Sequence, residues 1–142
     1  MRALILYSTK SGASRECAEL LATKIMDCSI CDISKSTPDI ESFDTLIVGS
    51  GVRMGKIYKP AKKFINKNID VLLSKNIAFY LCKSNPDTLQ KAIDDNIPKK
   101  LIDGAICIKS LGGKPPFTSP KNQDWILMDN VNALVQVVTA KI

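Results

Sequence analysis

Short apolar runs alternating with helical segments predict an α/β protein, a three-layer, doubly wound, five-stranded parallel sheet with helices on both faces. Arg2–Tyr7, Thr45–Gly49 and Asn76–Cys82 are near-continuous apolar stretches, the pattern of strands buried on both sides rather than one. Proline- and glycine-punctuated segments of helical periodicity fill the intervals between them. The residues least suited to a core, clustered hydroxyls and glycines, stand where strands end, which is where an open α/β sheet places its ligand.

Taken in order, Arg2–Tyr7 is a buried strand, and Ser14 to about Asp27 is an amphipathic helix with Cys17, Ala18, Leu21, Ala22 and Ile25 on one face. Ser29–Ile33 is a short second strand near a sheet edge. Lys35–Phe43, polar and containing Pro38, is a connection. Thr45–Gly49 is the third strand, followed by the loop Ser50–Tyr58 and a helix from Pro60 to Leu72 with proline in its first turn. Asn76–Cys82 is the fourth strand, Lys83–Asp87 a turn, and Thr88–Asp95 a helix. Ala105–Ile108 is the fifth strand. Ser110–Pro120, with two glycines and three prolines, is irregular. The last helix is expected from about Gln123 to Lys141, with Leu127, Met128, Val131, Leu134, Val135 and Val138 as its inner stripe.

A chain of 142 residues with 45% apolar content is expected to be one domain, spanning 1–142, with a core of its own. No apolar run is long enough to span a bilayer, and Ala3–Tyr7 is too short for a secretory h-region, so the expected location is the cytoplasm. An odd number of cysteines, five, agrees with reduced thiols. Cys28-x-x-Cys31 closes a helix and enters a strand, the reverse of a thioredoxin-like pair, and is expected to be structural. No histidine is present, which excludes imidazole-dependent hydrolysis and leaves no zinc-ligand set.

The richest segment is Tyr7-Ser8-Thr9-Lys10-Ser11-Gly12-Ala13-Ser14, where the first strand meets the first helix. Helix N-termini expose unpaired N–H groups at the positive end of the dipole, and hydroxyls add donors without bulk, so this loop suits a phosphate monoester. It is neither a G-x-x-x-x-G-K-[ST] loop nor a G-x-G-x-x-G fingerprint. The plainer alternative is an ordinary turn with Ser11 or Ser14 as N-cap.

Thr9-x-Ser11-Gly12-x-Ser14 resembles the T-x-[ST]-G-x-[ST] phosphate loop of flavodoxins. The segment Phe43–Lys56, in which a strand ends in Gly49-Ser50-Gly51-Val52-Arg53-Met54-Gly55, and the strand Ala78–Cys82 are similar to the flavodoxin-domain family of menaquinone-dependent protoporphyrinogen oxidase. The likeness extends across residues 1–82, and Asp124-Trp125 opening the last helix adds to it. That family carries a long insertion near its last strand, in a place where this chain has only Ser110–Pro120. The resemblance implies the strand order 2-1-3-4-5 and a site for FMN. It implies that Thr9, Lys10, Ser11, Gly12, Ala13 and Ser14 hold the phosphate. Ser50, Gly51, Val52, Arg53, Met54, Gly55 and Lys56 would border one side of the isoalloxazine ring, with Met54 or Tyr58 covering a face. Ser84, Asn85 and Pro86 would border the other side.

Between Thr45 and Ile69 stand six basic residues, Arg53, Lys56, Lys59, Lys62, Lys63 and Lys67, and no acidic one. A cation beside the ring favours its reduced, anionic form. The stretch also suits a redox partner protein with an acidic face or a small anionic substrate, although a solvated helix face accounts for most of it. No nucleic-acid recognition motif is present. The function expected is that of an FMN-dependent oxidoreductase of the protoporphyrinogen-oxidase-like family. The alternatives are a flavodoxin-type electron carrier between proteins and a flavin-free flavodoxin-like binding module.

Overall fold

A computed structural model describes residues 2–36, 38–114 and 122–141. Its strands are β1 (Ala3–Ser8), β2 (Cys28–Asp32), β3 (Thr45–Arg53), β4 (Lys56–Ile57), β5 (Asn76–Cys82) and β6 (Cys107–Ser110). Its helices are α1 (Ala13–Lys24), α2 (Lys59–Lys67), α3 (Ile69–Leu73), α4 (Leu89–Asn96), α5 (Lys99–Gly104) and α6 (Met128–Thr139). The five long strands run parallel in the order β2-β1-β3-β5-β6, which is the expected 2-1-3-4-5 order with β4 left out of the count. The order reverses between β1 and β3, so the loops leaving these strands open side by side.

Period-two alternation divides the core between two faces. Ala3, Ile5, Tyr7, Ile47, Ala78 and Tyr80 face α1 and α6, in a cluster with Leu21, Val131 and Leu134. Leu4, Leu6, Leu46, Val48, Phe79 and Leu81 face the other way, toward Ala61, Ile65, Leu72, Ile93 and Leu101 of α2–α5. β1 is buried along its whole length, whereas the edge strand β2 leaves Ile30 39% exposed. Cys28 and Cys31 lie three positions apart on β2 and so point to opposite faces, Cys28 against the α1 side and Cys31 against the α2 side. They are free thiols that cannot act together, and burial pushes the Cys28 thiol up to about 11.

Five expectations about the elements need correction. The third strand does not stop at Gly49. It continues to Arg53, and Lys56–Ile57 turns back on it as an antiparallel hairpin. Met54 (φ 54°) and Gly55 (φ 78°) form its two-residue connection, a turn that needs positive φ at both positions. The helix expected over 60–72 is two helices, because Asn68 leaves the helical region and its Nδ2 donates to the Phe64 carbonyl at 2.8 Å. α5 is an additional helix; it follows Pro98, whose carbonyl accepts the Leu101 and Ile102 N–H groups at 2.9 and 3.1 Å. α6 begins at Met128 rather than Gln123, because the Leu127 N–H is engaged with the Leu111 carbonyl at 3.1 Å. Leu127 and Met128 are accordingly exposed, at 43% and 41%, while Val131, Leu134 and Val138 form the inner stripe. The fifth strand runs over Cys107–Ser110 rather than Ala105–Ile108, so Ser110 belongs to it; of the rest of the stretch expected to be irregular, 111–114 carry no helix or strand and 115–120 lie outside the described residues.

One contact joins the layers above the switch point. Tyr80 on β5 pairs in register with Gly49 on β3, and a Cβ on Gly49 would lie 1.9 Å from the Tyr80 ring. The ring therefore crosses β3 only because residue 49 has no side chain. Its hydroxyl, fully buried, donates to the Ser14 carbonyl at 2.8 Å in the first turn of α1. Burial foremost, then the nearby Cys82, pushes the Tyr80 hydroxyl well above its ordinary range, so it remains a donor at every physiological pH. Gly49→Ala is expected to destabilise the fold by about 3 kcal/mol, as an overpacked core position does, in urea unfolding followed by circular dichroism.

Candidate functional site at the β1 and β3 switch point

The loop after β1 is organised by its own residues. Gly12, at φ 91°, forms the N-cap of α1, and its N–H donates to Thr9 Oγ1 at 2.9 Å. Gly12 rather than Ser11 or Ser14 is the N-cap, and no side chain caps the helix. The first helical bond runs from the Glu16 N–H to the Gly12 carbonyl, which leaves the N–H groups of Ala13, Ser14 and Arg15 ahead of the helical ladder. Ser14 is fully buried and turns its hydroxyl inward, to the Tyr80 hydroxyl at 3.4 Å. Toward the loop it therefore offers its backbone N–H and not its side chain. Ser11 and Lys10 are exposed.

The hairpin that continues β3 forms the neighbouring wall. The Ser50 hydroxyl donates to the Gly51 carbonyl at 2.7 Å and accepts the Tyr58 N–H at 3.1 Å, so it braces the base of the hairpin. Gly51 leaves room for the Tyr58 ring, which a Cβ there would meet at 2.7 Å. Lys10 Nζ stands 4.9 Å from the centroid of that ring, tying the hydroxyl loop to the hairpin through a cation–π contact. Burial is the main cause, followed by Cys82, of the raised Tyr58 hydroxyl, and Arg53 opposes it. Arg53 and Lys56 pair across the hairpin and are exposed, and Met54 at its tip is 93% exposed.

The third wall follows β5. Ser84, Asn85 and Pro86 are exposed, and Asn85 Oδ1 accepts the Asp87 N–H at 3.0 Å, a local turn that opens the Pro86–Thr88 helical turn. Sequence reasoning missed a fourth participant, the segment after β6. Gly113 packs so closely on the turn that a Cβ would lie 2.8 Å from the Ser84 N. Gly112, at φ 88°, passes the Trp125 carbonyl, 2.1 Å from where its Cβ would stand. Lys114 then reaches the first loop: its ammonium donates to the Ser11 carbonyl at 3.1 Å, pairs with Glu16 and lies 5.7 Å from the centroid of the Trp125 ring. The adjacent glycines ahead of Lys114 were the available signal for this close approach.

The structure thus brings Thr9–Ser14, Ser50–Lys56 and Ser84–Pro86 to one end of the sheet, chained by the Lys10–Tyr58, Lys114–Ser11 and Gly113–Ser84 contacts. Most of the basic stretch is elsewhere. Lys59, Lys63 and Lys67 follow one another at helical spacing along α2 and border a groove of about 470 Å³ floored by Ile33, Pro60 and Phe64. Only Arg53 and Lys56 of that stretch lie on the hairpin itself.

The hairpin is anchored from below by one buried side chain. Asn96 of α4, 6% exposed, accepts the Ile57 N–H at 3.1 Å and donates to the Gly55 carbonyl at 2.8 Å. Replacing it leaves the buried Ile57 N–H without a partner and frees the Gly55 carbonyl to solvent. Asn96→Ala is expected to lower stability by about 2 kcal/mol and to speed tryptic cleavage after Arg53 and Lys56, measured by urea unfolding and by mass spectrometry of the digest.

Residues 4–114 match the family model described as a flavodoxin domain. Over 85 residues the chain is 32% identical to the protoporphyrinogen IX dehydrogenase [quinone] of Escherichia coli, an alignment covering 56% of this chain and 47% of that protein. The chain therefore spans about half the length of the curated relatives it matches in this way. Oxidised flavodoxin 1 from Bacillus cereus superposes with a TM-score of 0.66 at 15% identity, covering 100% of this chain and 99% of that one. A flavoprotein in complex with FMN from Lactobacillus acidophilus superposes with a TM-score of 0.57 at 19% identity, covering 77% and 92% of the two chains. The structural likenesses speak for the fold, and the family match covers most of the sequence: the chain belongs to the flavodoxin-domain family.

Proposed function

We propose that this chain is an FMN-binding redox protein, an oxidoreductase of the protoporphyrinogen-oxidase-like branch of the flavodoxins. The observation that carries the proposal is the meeting of a donor-rich helix N-terminus with a glycine-based hairpin at the switch point of the sheet. The residues suit the cofactor. The Ala13, Ser14 and Arg15 N–H groups precede the helical ladder, and Gly12 adds no Cβ where an anion would approach. The solved flavoprotein of the same fold that holds FMN supports the choice of mononucleotide. Bound FMN supplies the electron-transfer chemistry. On this reading Thr9, Ser11, Gly12, Ala13 and Ser14 bind the phosphate, Gly51 to Lys56 and Ser84 to Pro86 border the ring, and Tyr58 shields it from water on the hairpin side. No side chain is assigned as an acid or base.

The 32% identity to a protoporphyrinogen IX dehydrogenase supports a substrate-oxidising role, and the cationic hairpin suits an anionic substrate or the acidic face of a redox partner in the cytoplasm. A second reading, an electron carrier between proteins, draws on end-to-end superposition with a flavodoxin, 100% and 99% of the two chains. Stopped-flow reduction separates them. An enzyme exchanges electrons with a small organic substrate, and a carrier does so only with proteins.

Purified protein titrated with FMN is expected to quench flavin fluorescence and to perturb its visible spectrum, with saturation at one flavin per chain. A protein that leaves the flavin signal unchanged at millimolar FMN refutes the proposal. Arg53→Gln is expected to make full reduction of the bound flavin harder by roughly 30 mV in a spectroelectrochemical titration, through loss of a nearby positive charge.

A further inference from the structure

The Lys114 ammonium occupies an unusual position for a surface cation. It stands at the mouth of the hydroxyl loop, 3.4 Å from where a Cβ on Gly12 would be, with its side chain only 20% exposed. Three groups hold it there: the Ser11 carbonyl, the Glu16 carboxylate and the face of Trp125. Glu16 Oε2 is shielded from solvent, and the Lys114 ammonium is its ion-pair partner. The other lysine of the loop, Lys10, is committed to the Tyr58 ring.

Glu16 is in the first turn of α1, where the helix dipole stabilises a carboxylate. That same location sets its negative charge beside any phosphate bound by the loop. A phosphate monoester carries a charge of about −1.5 to −2 at neutral pH and accepts charge-assisted hydrogen bonds, so it competes with the carboxylate for one ammonium. Resting on the FMN reading above, we propose that Lys114 is the counter-ion of the flavin phosphate and that Glu16 competes with the phosphate for it. The pair then sets how strongly the protein prefers FMN to unphosphorylated riboflavin, a specificity function located in the segment after β6.

The two residues affect the phosphate with opposite sign, which makes the inference testable. Fluorescence titrations with FMN and with riboflavin, at low and at moderate ionic strength, are compared for the wild type, Lys114→Gln, Lys114→Arg and Glu16→Gln. Lys114→Gln is expected to weaken FMN roughly tenfold at low salt while changing riboflavin by less than about twofold, and the loss shrinks as salt screens the pair. Lys114→Arg is expected to retain most of the preference. Glu16→Gln is expected to tighten FMN by about threefold with riboflavin unchanged. If the ion pair only docks the loop, both flavins weaken together in Lys114→Gln, and that parallel loss overturns the inference, as does an unmoved ratio of the two affinities. A wild-type protein that binds neither flavin overturns the FMN reading and this inference together. One that binds both, with a ratio indifferent to position 114, overturns the inference alone.

Discussion

The contact on which the site depends is the crossing of Tyr80 over Gly49 to the Ser14 carbonyl. A helix N-terminus binds an anion only if its N–H groups are aimed at a fixed point. The Tyr80 hydroxyl fixes the first turn of α1 by a buried, directional bond, and the sheet beneath fixes Tyr80. Ser14 is thereby drawn inward, its hydroxyl taken up by the core and its N–H left for the loop. A glycine on one strand, a tyrosine on the next and a serine on a helix thus act as one device, although they are distant in sequence.

The remaining walls are positioned by similar means, polar groups acting through backbone. Asn96 holds the hairpin from α4, Ser50 holds its base, and Gly112 and Gly113 let the segment after β6 pass between Trp125 and Ser84. None of these side chains needs to touch a ligand. They place backbone N–H groups and loop tips, as suits a cofactor that carries its own chemistry and asks the protein mainly for orientation and electrostatics. The charged groups with assigned contacts at the site are Arg53 and Lys56 on the hairpin, Lys10 against Tyr58, and the Lys114–Glu16 pair.

The sheet was legible in the sequence because buried parallel strands leave continuous apolar runs, and strand order followed from the loop resemblance. The hydroxyl loop was legible because its signal is local. What failed to show was whatever depended on contacts distant in sequence. Ser50–Tyr58 reads as a loop, since Met54-Gly55 is a weaker turn signal than Asn-Gly, yet Asn96 and Ile57 close it into a hairpin. The helical pattern at Gln123 is overridden because the backbone of Leu127 is claimed by Leu111. Lys114 stands 103 positions from its acceptor at Ser11, and only the glycine pair before it hinted at a close approach. The basic stretch from Arg53 to Lys67 reads as one patch in sequence, but the fold divides it between the hairpin and the groove along α2.

A ¹⁵N–¹H correlation spectrum of the protein titrated with FMN reports on the α1 N-terminus amide by amide. The amides of Gly12, Ala13, Ser14 and Arg15 are expected to move furthest, followed by those from Gly51 to Tyr58 and of Ser84 and Asn85, while α5 and the C-terminal half of α6 stay in place. Shifts concentrated along the groove between α2 and the Ile33–Ile40 connection, with the α1 N-terminus unmoved, would contradict FMN binding at that N-terminus.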